Sequence, residues 1–445
     1  MKKSLRAALL AIAIFLVIGA CVFFTLHQAK KQVIPPVTNI DQATTDAEAE
    51  AIKKAATQSA DEGRSTEIRV AAPIPDQYFP PPSVNLSGGK IGNQQVPYTD
   101  TIGDIHQTLF YLPTYTLFMA VTEPNGMRAI WQLKEHAKPE RVMAAGTAKG
   151  DIAVFGGSRG EIYVQYDNPC QLFRSGDGLK TWRLVHESPC MFWNMADDGK
   201  GNVYAALHDW NTAVLYRSQD DGFTWEAWKD FQKLFPAYAA PYADGDNRFK
   251  LRHLHDVIYD PQSDRLVVGT GDVARFAFES ADDGNTWKQI WDEGFTSHVA
   301  MSGGDRYLLG PDQLHSHGIG LYDVRKGTVT EVWNPTPYNF AGYCYSIVNV
   351  DGVYYAAFHT EANEVDSVVP TFGVIVSPDG INWYRFMEWG PLGHHARTDI
   401  WLTPAPGLVY ASVNGALYAF RPLDKAWFSD KLPFGAEAAG NAIPK

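Results

Sequence analysis

The sequence is poor in cysteine and has fewer basic than acidic side chains. Four cysteines among 445 residues are too few for a disulfide-stabilised scaffold or an array of zinc ribbons. The chain has 38 Lys and Arg residues against 50 Asp and Glu residues, which gives a net charge of -12. Proteins that bind DNA or RNA need a basic surface that displaces counterions from phosphates. The composition therefore argues against a nucleic-acid partner.

Charged residues make up only 20% of the chain, whereas aromatic residues and glycine are abundant. There are 13 Trp, 21 Tyr and 38 Gly residues, and 45% of the chain is hydrophobic. Aromatic residues favour strands, glycine favours tight turns, and a chain of this length can enclose a large core. The composition predicts an all-β protein with many turns and excludes a disordered chain.

One uncharged run near the start is long enough to cross a bilayer. Residues 7–26 form a 20-residue stretch without a charge, which is the length of a transmembrane helix. Three basic residues precede this run, so the positive-inside rule places residues 1–6 in the cytoplasm. We expect residues 1–31 to form a cytoplasmic tip and a single-pass membrane anchor, with the rest of the chain periplasmic or extracellular.

Two alternatives to the anchor remain open. The run has the character of a cleaved signal peptide, although the apolar part of a signal peptide is usually shorter. Residues 18–21 (IGAC) also resemble a bacterial lipoprotein box, in which Cys21 would be lipidated. The apolar residues 22–24 that follow argue against lipidation, because a lipoprotein normally turns polar there.

The composition changes after the apolar run. From residue 32 to about residue 95 the chain is rich in Ala, Thr, Asp, Gln and Pro, with proline runs at 35–36 and 80–82. Such segments are extended and do not pack a core. We predict a stalk or linker over residues 32–95.

Four segments repeat one short pattern of Ser, Asp, Gly and Trp. Residues 175–182 read SGDGLKTW, 218–225 read SQDDGFTW, 280–287 read SADDGNTW, and 377–383 read SPDGINW. Ser and Asp side chains close tight turns on backbone N–H groups, and glycine adopts positive φ, so the pattern predicts hairpin turns. These segments resemble the Asp box, or BNR repeat, of the sialidase-like β-propeller superfamily.

This resemblance implies a β-propeller in which each box joins the third and fourth strands of a blade and its Trp packs between neighbouring sheets. Two copies match the box in full, whereas the first has Leu179 in place of the glycine. In the family, the boxes lie on the face away from the active site. The box carboxylates are therefore expected to be structural: Asp177, Asp220, Asp282 and Asp379.

The spacing of the boxes indicates the number of blades. Their first residues lie 43, 62 and 97 residues apart, and a propeller blade has about 45 residues. These intervals correspond to one blade, one blade with an insertion at 233–250, and two blades with a degenerate turn at 323–327. We predict a seven-bladed propeller over residues 96–431 and a C-terminal tail over 432–445, with six or eight blades as alternatives.

The propeller topology, combined with the spacing of the repeats, predicts on which face the histidines lie. The start of each inner strand and the loop between the second and third strands lie on one face, around the channel mouth; we call this the mouth face. Imidazoles titrate near neutral pH and bind metals, so many of them on one face predict acid–base chemistry, metal binding or recognition of a polar ligand. Ten of the 13 histidines map there: His106, His208, His253, His255, His298, His315, His317, His359, His394 and His395.

Residues 252–256 (RHLHD) are the densest part of this pattern, because His253 and His255 share one side of a strand. With His208, they are candidate ligands of a divalent metal. The predicted catalytic residues are His255, His298, Arg275, Tyr343 and Asp256. The predicted substrate-binding residues are Arg252, His253, His208, His359, Asp272, Arg397 and Trp210.

The Asp box specifies a scaffold and leaves the activity open. Sialidases of the superfamily hold a carboxylate with three arginines, for which Arg252, Arg275 and Arg397 are candidates, but no Tyr/Glu nucleophile pair can be placed. The His-rich mouth looks more like the propeller polysaccharide lyases of the oligogalacturonate and ulvan types. Those enzymes cleave uronic-acid polymers by β-elimination, some with a His-bound metal.

By that resemblance, Arg275 or Arg252 would neutralise the uronate, His255 would be the base, and Tyr343 or His298 the acid. We predict a membrane-tethered propeller that acts on glycans and cleaves an acidic polysaccharide as a lyase or a glycosidase. A non-catalytic glycan-binding protein is one alternative. Another is a membrane-complex assembly factor like those of photosystem II, which bind a partner protein through one face.

The same topology places Cys170 and Cys190 on the mouth face as near neighbours. Extracytoplasmic proteins form disulfides readily, so we expect a Cys170–Cys190 disulfide. Cys344 is then expected to be unpaired and buried.

Overall fold

A computed structural model describes residues 102–434 of the chain. Within this range the description leaves out residues 112–114, 135–137, 145–150, 168, 240–250, 272–274, 293–298, 302–304, 313–317, 336–337, 339, 341, 361–371 and 390–398. The predicted anchor and stalk lie outside the described residues, as does the tail from residue 435. No helix in the described part of the chain is long and apolar enough to cross a membrane.

The described strands form seven antiparallel sheets in chain order. Blade one contains β1 (Asp104–Tyr111), β2 (Thr116–Thr122), β3 (Arg128–Lys134) and β4 (Glu140–Ala144). Blade two contains β5 (Ile152–Gly156), β6 (Ile162–Tyr166), β7 (Gln171–Ser175) and β8 (Arg183–Glu187). Blade three contains β9 (Phe192–Asp197), β10 (Val203–Leu207), β11 (Val214–Ser218) and β12 (Glu226–Asp230). The short helix α1 (Phe231–Leu234) and a 3-10 turn (Pro236–Tyr238) follow it.

The remaining blades have the same order. Blade four contains β13 (Leu254–Asp260), β14 (Arg265–Thr270), β15 (Phe276–Ser280) and β16 (Lys288–Asp292). Blade five contains β17 (Val299–Met301), β18 (Arg306–Leu309), β19 (Ile319–Asp323) and β20 (Thr328–Trp333). Blade six contains β21 (Tyr343–Val350), β22 (Val353–His359), β23 (Phe372–Ser377) and β24 (Tyr384–Trp389). Blade seven contains β25 (Ile400–Ala405), β26 (Leu408–Val413) and β27 (Ala416–Phe420), followed by a 3-10 turn (Lys425–Phe428).

The prediction of a seven-bladed, all-β propeller is confirmed. Each blade is an up-and-down meander, since every strand pairs with its neighbours in sequence. Blade seven differs from the expected set of four, because its sheet has three strands among the described residues. The turn predicted to be degenerate in blade five joins β19 to β20, where the Gly327 N–H donates to the Asp323 carbonyl over 2.8 Å.

Burial within a blade follows the position of the strand. Every residue of the second strands β10, β22 and β26 is buried, because these strands have a sheet on either side. The outer strands β8 and β20 alternate between partly buried and exposed residues. The second strands therefore read as apolar runs, whereas the outer strands mix partly buried and exposed residues.

The hydrophobic core lies between blades. One cluster joins blades one and two through Phe118, Ile130, Val154 and Val164. Equivalent clusters fill the other spaces, and one that includes Ile105, Leu117 and Leu408 joins blade seven to blade one. Packing of each sheet on the next thus continues around the ring and fixes where the inner strands meet.

Hydrogen bonds also close the ring between its first and last blades. The Ile105 N–H donates to the Gly415 carbonyl over 3.0 Å. The buried hydroxyls of Thr108 and Thr403 lie 2.6 Å apart, and Thr403 also donates to the Thr108 carbonyl. These contacts join residues almost 300 positions apart in sequence, so they form only when all blades are in place.

The four repeated segments all lie between the third and fourth strands of their blades and share one hydrogen-bond pattern. In blade three, Ser218 accepts from the Gly222 N–H over 2.8 Å and donates to the Asp220 carboxylate. Asp220 accepts from the backbone and hydroxyl of Thr224. Equivalent bonds recur at the other three turns, with the Leu179 N–H in place of a glycine N–H in blade two and the Asn382 amide groups in place of a threonine in blade six. Each carboxylate is thus engaged in closing its own turn.

Candidate functional site

Three histidines from two adjacent blades converge on the mouth face. His208 follows β10, the second strand of blade three, whereas His253 and His255 lie at the start of β13, the inner strand of blade four. Their ligating nitrogens all lie within 4.8 Å of one another, and the Nε2 atoms of His253 and His255 are 3.0 Å apart. The rings are stacked, with centroids 4.2 Å apart for His208 and His253 and 4.7 Å for His253 and His255. We call these residues the histidine triad.

The surroundings of the triad are shaped to hold the His255 ring. Gly271 directly follows β14, and a Cβ atom there would lie only 1.9 Å from the His255 Cε1 atom. The Asp312 carboxylate, itself buried, lies 3.6 Å from His255 Nδ1. On the other side, the Trp193 ring stacks on His208 with centroids 4.5 Å apart. Neighbours from blades three, four and five thus enclose the triad.

Burial keeps two members of the triad uncharged at neutral pH. Desolvation, assisted by the nearby Arg252 guanidinium, lowers the pKa of His208 to about 4. Desolvation also lowers the pKa of His253 well below its usual value, and both His208 and Arg252 add to this. Each of these two imidazoles therefore has one unprotonated ring nitrogen at neutral pH.

A cavity of about 150 Å³ opens beside the triad at the centre of the ring. It lies among the inner strands of blades one, two, three, six and seven, and we call it the mouth cavity. Trp193 lines this cavity and also stacks on His208, so one indole ring separates the two sites. The polar and aromatic lining consists of His106, Gln107, Arg128, Asp151, Trp193, Tyr345, His359, Asp399 and Trp401.

Aromatic rings and a histidine form the wall of the cavity on the side of blade six. Trp193 packs edge-on against Tyr345, with centroids 5.8 Å apart, and Tyr345 packs edge-on against His359 at 4.1 Å. His359 also stacks on Tyr343. Both Tyr345 and His359 are almost fully buried, so their rings have little freedom to move.

Charged side chains form the wall on the side of blades one, two and seven. The Arg128 guanidinium donates to Thr122 Oγ1 and lies 3.7 Å from the Asp151 carboxylate. His106 Nε2 is 2.6 Å from the same threonine oxygen. The His106 side chain is exposed at the mouth, but desolvation by the surrounding protein and the Arg128 charge lower its pKa, while Asp151, Asp399 and Asp104 oppose this shift. His106 is therefore neutral at pH 7.

The structure brings some of the predicted site residues together and separates others. Asp256 is buried and accepts a hydrogen bond from the Asn194 amide. The Arg252 guanidinium lies 4.7 Å from the centre of the Trp210 ring, which is 63% exposed. Neither Arg252 nor Arg275, which directly precedes β15, lines the described mouth cavity. His298, Asp272 and Arg397 lie outside the described residues.

Of the ten histidines predicted on the mouth face, the structure describes five: His106, His208, His253, His255 and His359. All five lie near the start of an inner strand or at the end of a second strand. The sequence interpretation overlooked Arg128, Asp151, Tyr345 and Trp401. Arg128 begins a third strand and Asp151 precedes an inner strand, so the rule that placed the histidines applies to both.

The cysteine prediction is half wrong. Cys170 and Cys190 are not joined by a disulfide in the structure, although a hydrogen bond with Cys170 lowers the pKa of Cys190. Cys170 also donates to the Asp167 carboxylate over 3.2 Å. Cys344 is free and fully buried as predicted, and burial raises its pKa to about 12.

No protein-family model and no curated protein matches this sequence. Similar solved structures include YCF48 bound to a D1 peptide, with a TM-score of 0.47 and 13% identity, covering 74% of this chain and 96% of that one. A GH74 xyloglucanase from Xanthomonas campestris has a TM-score of 0.42 and 15% identity, covering 72% and 44%. The extracellular domain of a hybrid two-component system from B. thetaiotaomicron has a TM-score of 0.49 and 10% identity, covering 73% and 38%. At these identities the likeness concerns the fold alone.

Proposed function

We propose that this protein is a membrane-tethered Asp-box propeller that binds an acidic glycan in the mouth cavity and cleaves it there by β-elimination. The observation that carries the proposal is the composition of that cavity. One guanidinium, two imidazoles, a phenol and two indoles surround a space at the centre of the ring. The repeated turns support the superfamily, and the uncharged run at 7–26 supports the tether.

The size and lining of the cavity suit one sugar unit. Its volume of about 150 Å³ is that of a protein cavity that accepts one benzene-sized ring. Trp193 and Trp401 offer flat apolar faces for the C–H side of a pyranose, while hydroxyl groups can pair with Asp151 and Asp399. A single unit of a longer chain would therefore occupy the cavity, with its neighbours outside.

The chemistry of β-elimination matches residues of the two walls. Arg128 would neutralise the uronate carboxylate, which makes the proton on the adjacent carbon more acidic. His106 is neutral and would accept this proton. The electron pair of the broken C–H bond forms a C=C bond, the C–O bond to the neighbouring sugar breaks, and Tyr345 would protonate the leaving oxygen. These roles replace those that the sequence suggests for Arg252, Arg275, His255 and Tyr343.

A hydrolytic reaction is the second candidate, because two carboxylates also line the cavity. Asp151 is 76% exposed, whereas Asp399 is half-buried. Glycosidases use a pair of carboxyl groups, one as the acid and the other as the base or nucleophile. The two reactions leave different products, which a single assay distinguishes.

The test is incubation of the full-length protein, in detergent, with a panel of uronate polysaccharides of different linkage. Elimination produces unsaturated uronate ends that absorb in the ultraviolet, and Tyr345→Phe should lose this activity while keeping the ring. New reducing ends without absorbance, lost in Asp399→Asn, would show hydrolysis instead. Binding without cleavage would leave only a glycan-binding protein, and absence of binding across the panel would overturn the glycan proposal.

The pH dependence of cleavage should report the protonation of His106. A base must be neutral, and the His106 pKa lies below its usual value of 6.5, so kcat/KM should stay constant at neutral pH and fall only in more acidic solution. Arg128→Gln removes a cation that lowers this pKa and should move the acid limb toward higher pH. Asp399→Asn removes an opposing charge and should move the limb the other way. An acid limb at the same pH in all three proteins would show that another group is the base.

A further inference from the structure

We propose that His208, His253 and His255 bind one divalent transition-metal ion of the kind that prefers imidazole, with zinc as the expected ion. This inference goes beyond the glycan proposal and does not depend on it. Three ring nitrogens from two blades lie within 4.8 Å of one another, and imidazole is a common ligand of zinc. The metal would lie beside the mouth cavity, behind the Trp193 ring.

The spacing of the three nitrogens is close to that of a metal site. With Zn–N bonds of about 2.0–2.1 Å, tetrahedral ligand nitrogens lie about 3.3 Å apart. The Nε2 atoms of His253 and His255 are 3.0 Å apart, and their rings are buried. The most distant pair, at up to 4.8 Å, would close by about 1.5 Å through rotation of the rings about χ2.

The hydrogen bond between His253 and His255 explains the arrangement without a metal. Two nitrogens 3.0 Å apart must share a proton, so one Nε2–H donates to the other Nε2. On metal binding this proton would move to the Nδ1 atom of the same ring, and both Nε2 lone pairs would then bind the ion. The rings lie within 30° of parallel, so binding should also turn them toward a common centre.

Two neighbours of His255 provide what a metal ligand requires. A ligating histidine is usually oriented through its other nitrogen by a carboxylate or carbonyl, and the Asp312 carboxylate lies 3.6 Å from His255 Nδ1. This contact favours a proton on Nδ1 and leaves Nε2 for the ion. Gly271 makes room for the ring, because any larger residue would place Cβ 1.9 Å from His255 Cε1.

The composition of the site indicates a reactive ion more than a structural one. Structural zinc sites usually have four protein ligands, whereas three protein ligands leave one position for water or substrate. Among the residues that the structure describes, the triad supplies three. Trp193 contacts both His208 and the mouth cavity, so an ion at the triad would lie one indole ring away from a ligand bound there.

The experiment is direct metal binding by the full-length protein in detergent. Protein stripped with a chelator is titrated with Zn²⁺ by calorimetry, and with Co²⁺ by visible absorption, because Co²⁺ in a tetrahedral site absorbs strongly. We expect one equivalent of each ion and competition between the two. His208→Ala and His255→Ala should each weaken binding by about 100-fold or more, which is the upper part of the range for changes around a metal site.

Two further variants keep the test decisive if a triad variant is unstable. Gly271→Ala retains all three histidines but displaces the His255 ring, and its φ lies outside the left-handed region, so it should weaken metal binding without backbone strain. His186→Gln is the matched control, since His186 packs among Phe192, Tyr216 and Trp225 away from the triad. Equal metal binding by the wild type, His208→Ala and Gly271→Ala would overturn the proposal, whether or not glycan cleavage is found.

Discussion

Replacement of Gly222 by alanine is expected to lower the free energy of unfolding by about 3 kcal/mol, whereas Gly178→Ala should lower it by about 1 kcal/mol. Both glycines lie in turns between the third and fourth strands, with φ of +82° at Gly222 and +73° at Gly178. Both substitutions place an L residue in the left-handed region, and this contribution is the same for the two. The difference comes from what the new Cβ atom contacts.

At Gly222 the Cβ atom would lie 2.4 Å from the Tyr163 hydroxyl oxygen and 2.5 Å from its ring. Tyr163 is fully buried in blade two and donates to the Asp221 carbonyl over 2.9 Å. Its ring cannot move away without breaking that hydrogen bond and the packing between blades two and three. At Gly178 no atom lies within 4 Å of the added Cβ, so only the backbone conformation is disfavoured.

Urea unfolding followed by tryptophan fluorescence, with both variants in the same detergent, measures this difference. Equal m-values would show that the denatured states are comparable. The result matters for the fold because it separates the role of the turn from that of the blade interface. Equal losses of stability in the two variants would mean that Tyr163 adapts, and that the turn alone accounts for the glycine.

The parts of the fold that depend on local interactions were predictable from the sequence. The Ser, Asp and Gly of each repeated turn interact within four residues of one another, so their spacing indicates the hairpins directly. The spacing of these turns also predicted seven blades, which agrees with the seven sheets of the structure.

Local sequence patterns could not predict that the three histidines of the triad converge. The topology predicts ten histidines on one face, but it does not select the three that meet. That selection depends on how blades three and four pack, and on Gly271, which leaves room for one ring. The same holds for Arg252. The topology predicts its place on the mouth face, but not that its guanidinium lies over the Trp210 ring.

The positions of the cavity residues that the sequence interpretation missed were predictable from the topology. Arg128 and Asp151 stand at the ends of strands that the topological rule already places at the mouth. They were missed because the charged candidates were chosen around the predicted histidines, and neither Arg128 nor Asp151 stands beside a histidine in the sequence. A count of all charged residues at strand ends on the mouth face would have included both.

Arg128→Ala should lower kcat/KM for an acidic glycan by about 100- to 1000-fold, the range found when one group that stabilises transition-state charge is removed. Arg128 lines the mouth cavity, and its side chain is only 21% exposed, so bulk water cannot replace its charge. Arg325→Ala is the matched control, because Arg325 lies between β19 and β20, is 73% exposed, and pairs with Asp305. We expect its kinetics to equal those of the wild type.

A double comparison tests whether Arg128 acts on the substrate carboxylate and not through the fold. Methyl esterification of the glycan removes the carboxylate charge that Arg128 would neutralise, and it makes the adjacent C–H more acidic in both proteins. If the two charges interact, Arg128→Ala should therefore lower kcat/KM much less on the esterified glycan than on the free acid. Additive effects of the substitution and the esterification would mean that Arg128 does not contact the carboxylate, and the neutralising role would then pass to another residue.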